Sequence, residues 1–367
     1  MKATPIDWSP PGELVKTFEA ADGTYEVWKG SLVDLAVKQL IKRIQILVPL
    51  FIEGGTFIST EDSDGADRWT VFFLYRKRQA PGSNTSPYEF AGYATVYRFF
   101  FYKPSTTDSG SAAKELTLPS SNFSLSDLPT RSRISQFIIL PPFQGKGNGG
   151  RLYSTIFKQY LDSPQTTEIT VEDPNEAFDD VRDLTDRAFL LGIPEFRDLE
   201  LNTAVVIPKS GPAPKNIVDA TSLETLRIKA KIAPRQFHRL VEMQLMSRLP
   251  AAVQPRIEVK KAVTTTNAED HEYKLWKLLV KQRLYRRNKE TLGQLDREER
   301  IQKLEETLGA VEMEYARLLS AFDRQAKHHE QALKPKRKLG DQHGEPDDEP
   351  TSKKARVEDV DNEAMID

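Results

Sequence analysis

Arg133-Ile134-Ser135-Gln136-Phe137-Ile138-Ile139-Leu140-Pro141-Pro142-Phe143-Gln144-Gly145-Lys146-Gly147-Asn148-Gly149-Gly150 begins as an apolar run and ends as a loop with four glycines. Residues 134–140 are rich in β-branched and aromatic side chains and stop at a double proline, which predicts a buried strand. Residues 152–161 have the spacing of a helix. The segment is therefore strand, glycine loop, helix. Glycine lets successive N–H groups turn the same way and lets a phosphate come close. A helix N-terminus adds partial positive charge, so the unit is suited to a pyrophosphate.

Related turns occur in other folds. A P-loop requires Gly-Lys-Ser/Thr, and here Gly147 follows Lys146. A dinucleotide site is expected near the front of a parallel sheet. Here two aromatic, β-branched runs come first, at 69–75 and 93–102, separated by the polar stretch 79–87. They predict an antiparallel pair.

Outward from this centre, Leu32, Leu35, Ala36, Leu40, Ile41, Ile44, Leu47 and Val48 predict one amphipathic helix, ended by Gly54-Gly55. Residues 104–132 read as loop. Ile169-Thr170-Val171 is a further strand, followed by Glu172-Asp173 and a helix over 178–191. That order predicts a mixed α/β (α+β) domain over 31–207, with one largely antiparallel central sheet flanked by helices. Residues 1–30 are a leading remnant. A proline-rich link at 208–214 opens a helical domain over 208–325. Ile301, Leu304, Leu308, Val311, Tyr315, Leu318 and Phe322 form a short heptad seam, which suits packing on the same chain or a dimerising coiled coil. Residues 326–367 are too polar to build a core and are expected to be disordered.

The 367 residues leave room for two domains at roughly 100–200 residues each. A net charge of −2 gives no strong field towards nucleic acid, so direct DNA binding is not expected. The absence of cysteine excludes disulfides, thiolate metal sites and a cysteine nucleophile, and fits a reducing compartment. The five histidines have no zinc-ligand spacing, so no metal is expected, and His328-His329 reads as solvated surface. There is no apolar window of about 20 residues to span a membrane and no signal peptide in the polar opening. The protein is expected inside the cell.

Gln144-Gly145-Lys146-Gly147-Asn148-Gly149 resembles the Gln/Arg-x-x-Gly-x-Gly/Ala pyrophosphate loop of the GNAT acetyltransferase superfamily. Ser135-Gln136 ahead of that loop, and Val171-Glu172-Asp173-Pro174 after it, are similar to the type B histone acetyltransferase catalytic subunits. Phe51-Ile52-Glu53, Asp67-Arg68-Trp69 and Gly92-Tyr93-Ala94-Thr95-Val96-Tyr97 match that family in the same order. The likeness runs over residues 25–290. It implies a GNAT-type fold, acetyl-CoA as donor, and transfer to lysines in the tail of free, newly made histone H-four. It also implies a WD-repeat histone-chaperone subunit as partner, and residence in nucleus and cytoplasm. The alternatives are a GNAT enzyme for another protein or a small amine, and a histone-binding scaffold without turnover. The family usually carries a further domain ahead of this region, so a truncated or short form is expected, with part of the tail groove missing.

Lysine acetylation needs a neutral amine, and a free lysine with a pKa of about 10.4 is neutral roughly one time in a thousand near pH 7. A carboxylate at the amine can take the proton, directly or through a water. The resemblance assigns that base to Glu172, with Asp173 and Glu53 in support. It assigns cofactor contacts to Phe137, Ile138, Ile139, Gln144, Gly145, Lys146, Gly147, Asn148, Gly149, Gly150 and Ala177. Backbone N–H groups near 137–139 would polarise the thioester carbonyl. Trp69, Tyr97, Arg98 and Phe99 would contact the tail.

From the residues alone, other roles stand beside these. Asp173 before Pro174 suits a helix N-cap. Glu172 and Glu53 suit solvated carboxylates, and the strand aromatics and residues 137–139 suit core. Glu61, Asp62, Asp64 and Asp67 would attract a basic peptide or form a solvated loop. Lys334-Pro335-Lys336-Arg337-Lys338 and Lys353-Lys354-Ala355-Arg356 suit a bipartite import signal or a charged tail.

Overall fold

A computed structural model of the chain describes residues 8–61, 65–78, 86–100, 128–209, 211, 213–257 and 264–333, with side chains as far as residue 324. Asp62, Asp64, residues 104–127 of the loop expected over 104–132, and both C-terminal basic clusters lie outside the described residues, while the last three residues of that loop, from Thr130, are strand.

Two strands precede the first helix, where the sequence reading has no element. β1 (Glu13–Ala20) and β2 (Gly23–Ser31) pair antiparallel, with Ala20 opposite Gly23. Asp22-Gly23 is the hairpin signal that the reading overlooks, and Gly23 takes φ +132°.

The single helix predicted from residue 32 is broken in two. α1 (Leu35–Ile44) starts at Asp34, whose carboxylate accepts from the amides of Ala36 and Val37. A 3-10 turn, Gln45–Leu47, then leads to α2 (Val48–Phe51). Pro49 is the cause: it has no N–H to give, and its ring collides with the carbonyl four residues back, at Gln45.

β3 (Trp69–Lys77), β4 (Tyr88–Phe100), β5 (Thr130–Ile139) and β6 (Thr166–Val171) complete a six-stranded sheet in the order β1-β2-β3-β4-β5-β6. All neighbours are antiparallel except β5 and β6, which are parallel. The mixed, largely antiparallel sheet is as the sequence implies. A parallel pair needs a crossover, and α3 (Asn148–Leu161) provides it.

Each face of the sheet has its own core. Val37 and Ile41 of α1 pack with Val71, Phe73, Tyr93 and Ile138 on one face. On the other, Leu152, Tyr153 and Ile156 of α3 and Leu190 of α4 (Glu176–Leu191) pack with Phe72, Val96, Ile134 and Ile139. That second core continues into the helices beyond. These are α5 (Pro194–Arg197), α6 (Ala220–Ala230), α7 (Pro234–Arg248), α8 (Asn267–Arg287), α9 (Lys289–Gly293) and α10 (Arg297–Leu333). Phe237, Leu240, Trp276, Leu308, Tyr315 and Leu318 belong to the same cluster. Most of the heptad seam packs within the chain: Leu308, Tyr315 and Leu318 are at most 2% exposed, whereas Ile301 at its start is 52% exposed. The described residues up to Asp323 form one compact unit; the described part of a second, from Arg324, is the end of α10. Among the described residues no helix is long and apolar enough to cross a membrane.

Candidate active site

β4 and β5 do not pair one-to-one. Thr95 lies opposite Gln136 and Val96 opposite Ile134, so Ser135 is an extra residue, a β-bulge. A regular strand would send Ser135 and Gln136 to opposite faces. Here both line one cleft of about 520 Å³. Gln136 closes its floor: its Nε2 donates to Thr56 O at 2.9 Å and its Oε1 accepts from Tyr93 Oη at 3.1 Å. Ser135 Oγ donates to a Glu172 carboxylate oxygen.

Glu172 is the first residue after β6, and its N–H donates to Ile134 O at 2.9 Å, the last rung before β5 and β6 part. Its second carboxylate oxygen lies 3.7 Å from Arg133 Nη1, and its side chain is 44% exposed. Asp173 follows with φ +35°, a left-handed backbone that is strained for a residue with a Cβ. It does not cap α4. That role belongs to Asn175, whose side chain accepts from Phe178 N at 2.9 Å. Asp173 instead lines the cleft beside Glu172.

Glu53 enters the same cleft from the turn after α2, and Trp69, Tyr97 and Phe99 form an aromatic wall. The Trp69 and Tyr97 rings lie 4.8 Å apart and the Tyr97 and Phe99 rings 4.7 Å apart, with Arg133 stacked 4.3 Å over Phe99. Arg98 is not with them. Strand alternation turns it to the opposite face, where it donates to Asp67 O at 2.6 Å and lies against Phe100.

Among the described residues no strand pairs with β5 on the β6 side past Ile134 and Val171. Leu140 N donates to Ala91 O, on the β4 side. Alternation then points the amides of Phe137 and Ile139 to the open edge, and that of Ile138 to β4. Of the three residues read as cofactor contacts, Phe137 and Ile139 thus turn their amides to the open edge. Ile138 contributes its side chain to the α1-side core instead.

The open edge leads into the glycine loop. Gly145 and Gly147 have φ +70° and +78°, and nothing lies within 4 Å of where a Cβ on Gly145 would stand. The loop's side chains mostly hold the loop. Gln144 Nε2 donates to Ile139 O at 2.7 Å and Asn148 Nδ2 to Phe143 O at 3.0 Å. Lys146 donates to Pro142 O and to Asp22 of the β1–β2 hairpin, both at 2.9 Å. The Lys146 bond holds the Asp22 carboxyl below its usual range.

The groups this leaves open at the loop are main-chain amides. α1, α4, α6 and α8 have side-chain caps, from Asp34, Asn175, Asp219 and Thr266. α3 begins at Gly147 with none, as α7 does at Ala233. The first-turn amides of Asn148, Gly149 and Gly150 therefore lack intrahelical acceptors, and the first helical bond is Arg151 N to Gly147 O. A diphosphate fits such a cradle. Ala177 is exposed in the first turn of α4, beside Phe178, whose ring packs 4.7 Å from that of Phe137. Among the described residues no cluster of three or more His, Cys, Asp or Glu could hold a metal ion.

The bulge at Ser135 and the roles of Arg133 and Gln136 are what sequence reasoning missed. The opposite facing of Arg98 was available from strand alternation alone.

Comparison with known proteins bears on the same regions. The family described as "Histone acetyl transferase HAT1 N-terminus" matches residues 1–53, which include β1, β2 and Glu53. "Fungal HAT1, C-terminal" matches residues 204–249. The histone acetyltransferase type B catalytic subunit of Gibberella zeae is 52% identical over 363 residues, covering 96% of this chain and 75% of that protein. The Pyricularia oryzae protein of the same name is 50% identical over 362 residues, covering 98% and 76%. Among solved structures, an aminoglycoside acetyltransferase from a soil metagenomic sample covers 52% of this chain and 95% of its own, at 13% identity and a TM-score of 0.26. On its identity to these curated relatives along almost the whole sequence, the chain belongs to the family of type B histone acetyltransferase catalytic subunits, enzymes of the acyltransferase class.

Proposed function

We propose that the chain acetylates lysines in the N-terminal tail of free, newly made histone H-four, with Glu172 as general base. One observation carries this reading: Glu172, Asp173 and Glu53 meet three aromatic side chains in one cleft, beside an unpaired strand edge. Acetyl-CoA supplies the acetyl group, its thioester attacked directly by the amine so that the C–N bond forms as the C–S bond breaks.

The protein's part is positioning and proton transfer. Trp69, Tyr97 and Phe99 hold the methylene stem of the lysine, and the Glu172 carboxylate takes the ammonium proton. Ser135 and Arg133 each engage one Glu172 oxygen, which fixes the carboxylate's direction. The open-edge amides of Phe137 and Ile139 face the carbonyl oxygen as charge develops on it. The uncapped α3 amides and the loop glycines hold the diphosphate. Asp173 and Glu53 keep the mouth negative, which favours a basic tail.

Glu172→Gln should lower kcat about 10²- to 10⁴-fold and leave acetyl-CoA binding, measured by calorimetry, unchanged. Wild-type turnover at neutral pH would remove Glu172 from the role. Labelled acetyl-CoA offered with H-four tail peptide or with small amines separates this reading from a small-amine enzyme and from a scaffold. A WD-repeat histone-chaperone partner and residence in nucleus and cytoplasm are proposed on the family likeness. Co-purification tests the first, and a reporter fused to residues 330–360 tests nuclear import.

A further inference from the structure

Away from the catalytic cleft, α6, α7 and α8 enclose a groove of about 510 Å³. Its floor is apolar: Ile217, Leu223, Phe237 and Val241 are at most 7% exposed, with Val218 and Leu279 beside them. α8 lines it with Leu279, Gln282, Arg283, Arg286 and Arg287, three- and four-residue steps along one helix face. Over nine residues, from Leu279 to Arg287, that face runs about 12 Å, and α7 presents a matching length from Pro234 to Glu242.

The rim is basic and largely uncompensated. Lys215, Arg235, Arg286 and Arg287 are exposed on it. The two acids of the groove are already engaged. Glu242, 3% exposed, accepts from Arg283 Nε at 2.7 Å and Tyr315 Oη at 2.9 Å. Glu224 is paired with Arg227 at 2.6 Å. Among the described residues no acid pairs with Arg235 or Arg287. Both also line an adjoining cleft with Arg182, Arg239 and Arg283, where Asp179 is the acid and offsets part of their charge. Burial, and then the charges of Arg235, Arg283 and Arg239, push the Arg287 guanidinium below its usual value. Gathered like charges raise the free energy of the empty groove, and an anion there lowers it.

We infer that the groove between α6, α7 and α8 docks an acidic amphipathic segment of a partner protein. Its apolar side chains would lie on the Leu223–Phe237–Leu279 floor and its carboxylates on Arg235, Arg286 and Arg287. A free phosphate would use the cations alone and leave the apolar floor wet. Two facing helix surfaces of equal length fit a helical peptide.

The test uses the full chain and fluorescence anisotropy with a labelled helical peptide bearing Leu on one face and Glu beside it. Lys-for-Glu and Ser-for-Leu versions serve as controls, with inorganic phosphate and decanoate as competitors. The Leu/Glu peptide should bind and both controls should fail. Arg235→Glu and Arg287→Glu should each weaken binding about ten-fold or more while histone acetylation is kept. Arg286→Gln, at an exposed position, should weaken it a few-fold without any threat to folding. Equal binding by the Ser-for-Leu peptide, or displacement by phosphate, would reduce the groove to an anion site and overturn the inference. Decanoate binding without peptide binding would assign a small lipid-like acid instead. Unchanged affinity in all three arginine variants would also overturn it.

Discussion

The catalytic cleft and the helical half of the molecule set their carboxylates in opposite ways. Glu172 is 44% exposed, held by one hydroxyl and a guanidinium at 3.7 Å. Asp186 is 1% exposed. It accepts from Tyr153 Oη at 2.8 Å and Gln236 Nε2 at 3.2 Å, with Arg182 at 3.7 Å. Its neighbour Asp183 accepts from Gln236 at 2.9 Å and from Arg239 at 2.7 Å, and Arg239 reaches on to Glu314. Burial pushes the Asp186 carboxyl up to about 6, and Asp183 rises for the same reason. A strongly shifted acid is often a signpost to a reaction centre. In this molecule the signpost stands in the scaffold. The base proposed for an incoming lysine has to remain reachable, whereas an acid pair that links α3, α4, α7 and α10 does not.

The sharpest way to break this contrast is to remove a scaffold carboxylate. Glu242→Ala strands Arg283, whose side chain is 20% exposed, and leaves the buried Tyr315 hydroxyl without its acceptor. Urea unfolding should show a loss of about 3–5 kcal/mol. A loss as small as that of a surface substitution would mean that the network is ornamental.

The pH dependence comes next. Asp186 binds its proton more tightly in the folded chain, at about 6, than at its ordinary 3.8. It therefore stabilises most below about pH 4, and that contribution, on the order of 3 kcal/mol, is lost as pH rises through about 6. Asp186→Asn has no proton to lose, so the wild-type advantage over the variant should shrink between about pH 4 and 7. A constant difference would return Asp186 to an ordinary carboxylate.

Smaller effects sharpen the cleft side. Asn175→Ala removes the α4 cap and should cost about 1 kcal/mol. Asp173→Ala should cost less than that, since Asp173 caps nothing. Equal losses would restore Asp173 to a structural role. Smallest of all, Glu172→Gln should change the unfolding free energy by no more than about 0.5 kcal/mol, despite the large loss of turnover proposed for it. Calorimetric scans would expose any larger change.

The sequence showed most plainly what local pattern encodes. The glycine loop, the strand before it, the acid pair after β6 and the aromatic runs of β3 and β4 are all written in adjacent residues, and the strand, the acid pair and the aromatics meet in one cleft. Pairing was harder to see. β1 and β2 mix charged residues into short strands, so only the Asp22-Gly23 turn betrays them. The break at Pro49 was legible from proline chemistry, and so was the facing of Arg98 from alternation. The bulge at Ser135 was not, because it is defined by register against Thr95 and Val96, forty residues away in the chain.

That extra residue ties two properties to a single codon. Removing position 135 would take away the hydroxyl that engages Glu172 and also shift the strand's phase by one, carrying one half of β5 to the wrong side. If the later half turned, Phe137 would leave Phe178, and Ile138 would leave Tyr93. If the earlier half turned, Ile134 would leave the core it shares with Leu152. Reactivity and packing therefore cannot be edited separately at this point, and a lineage that lost the insertion would have to rebuild both together.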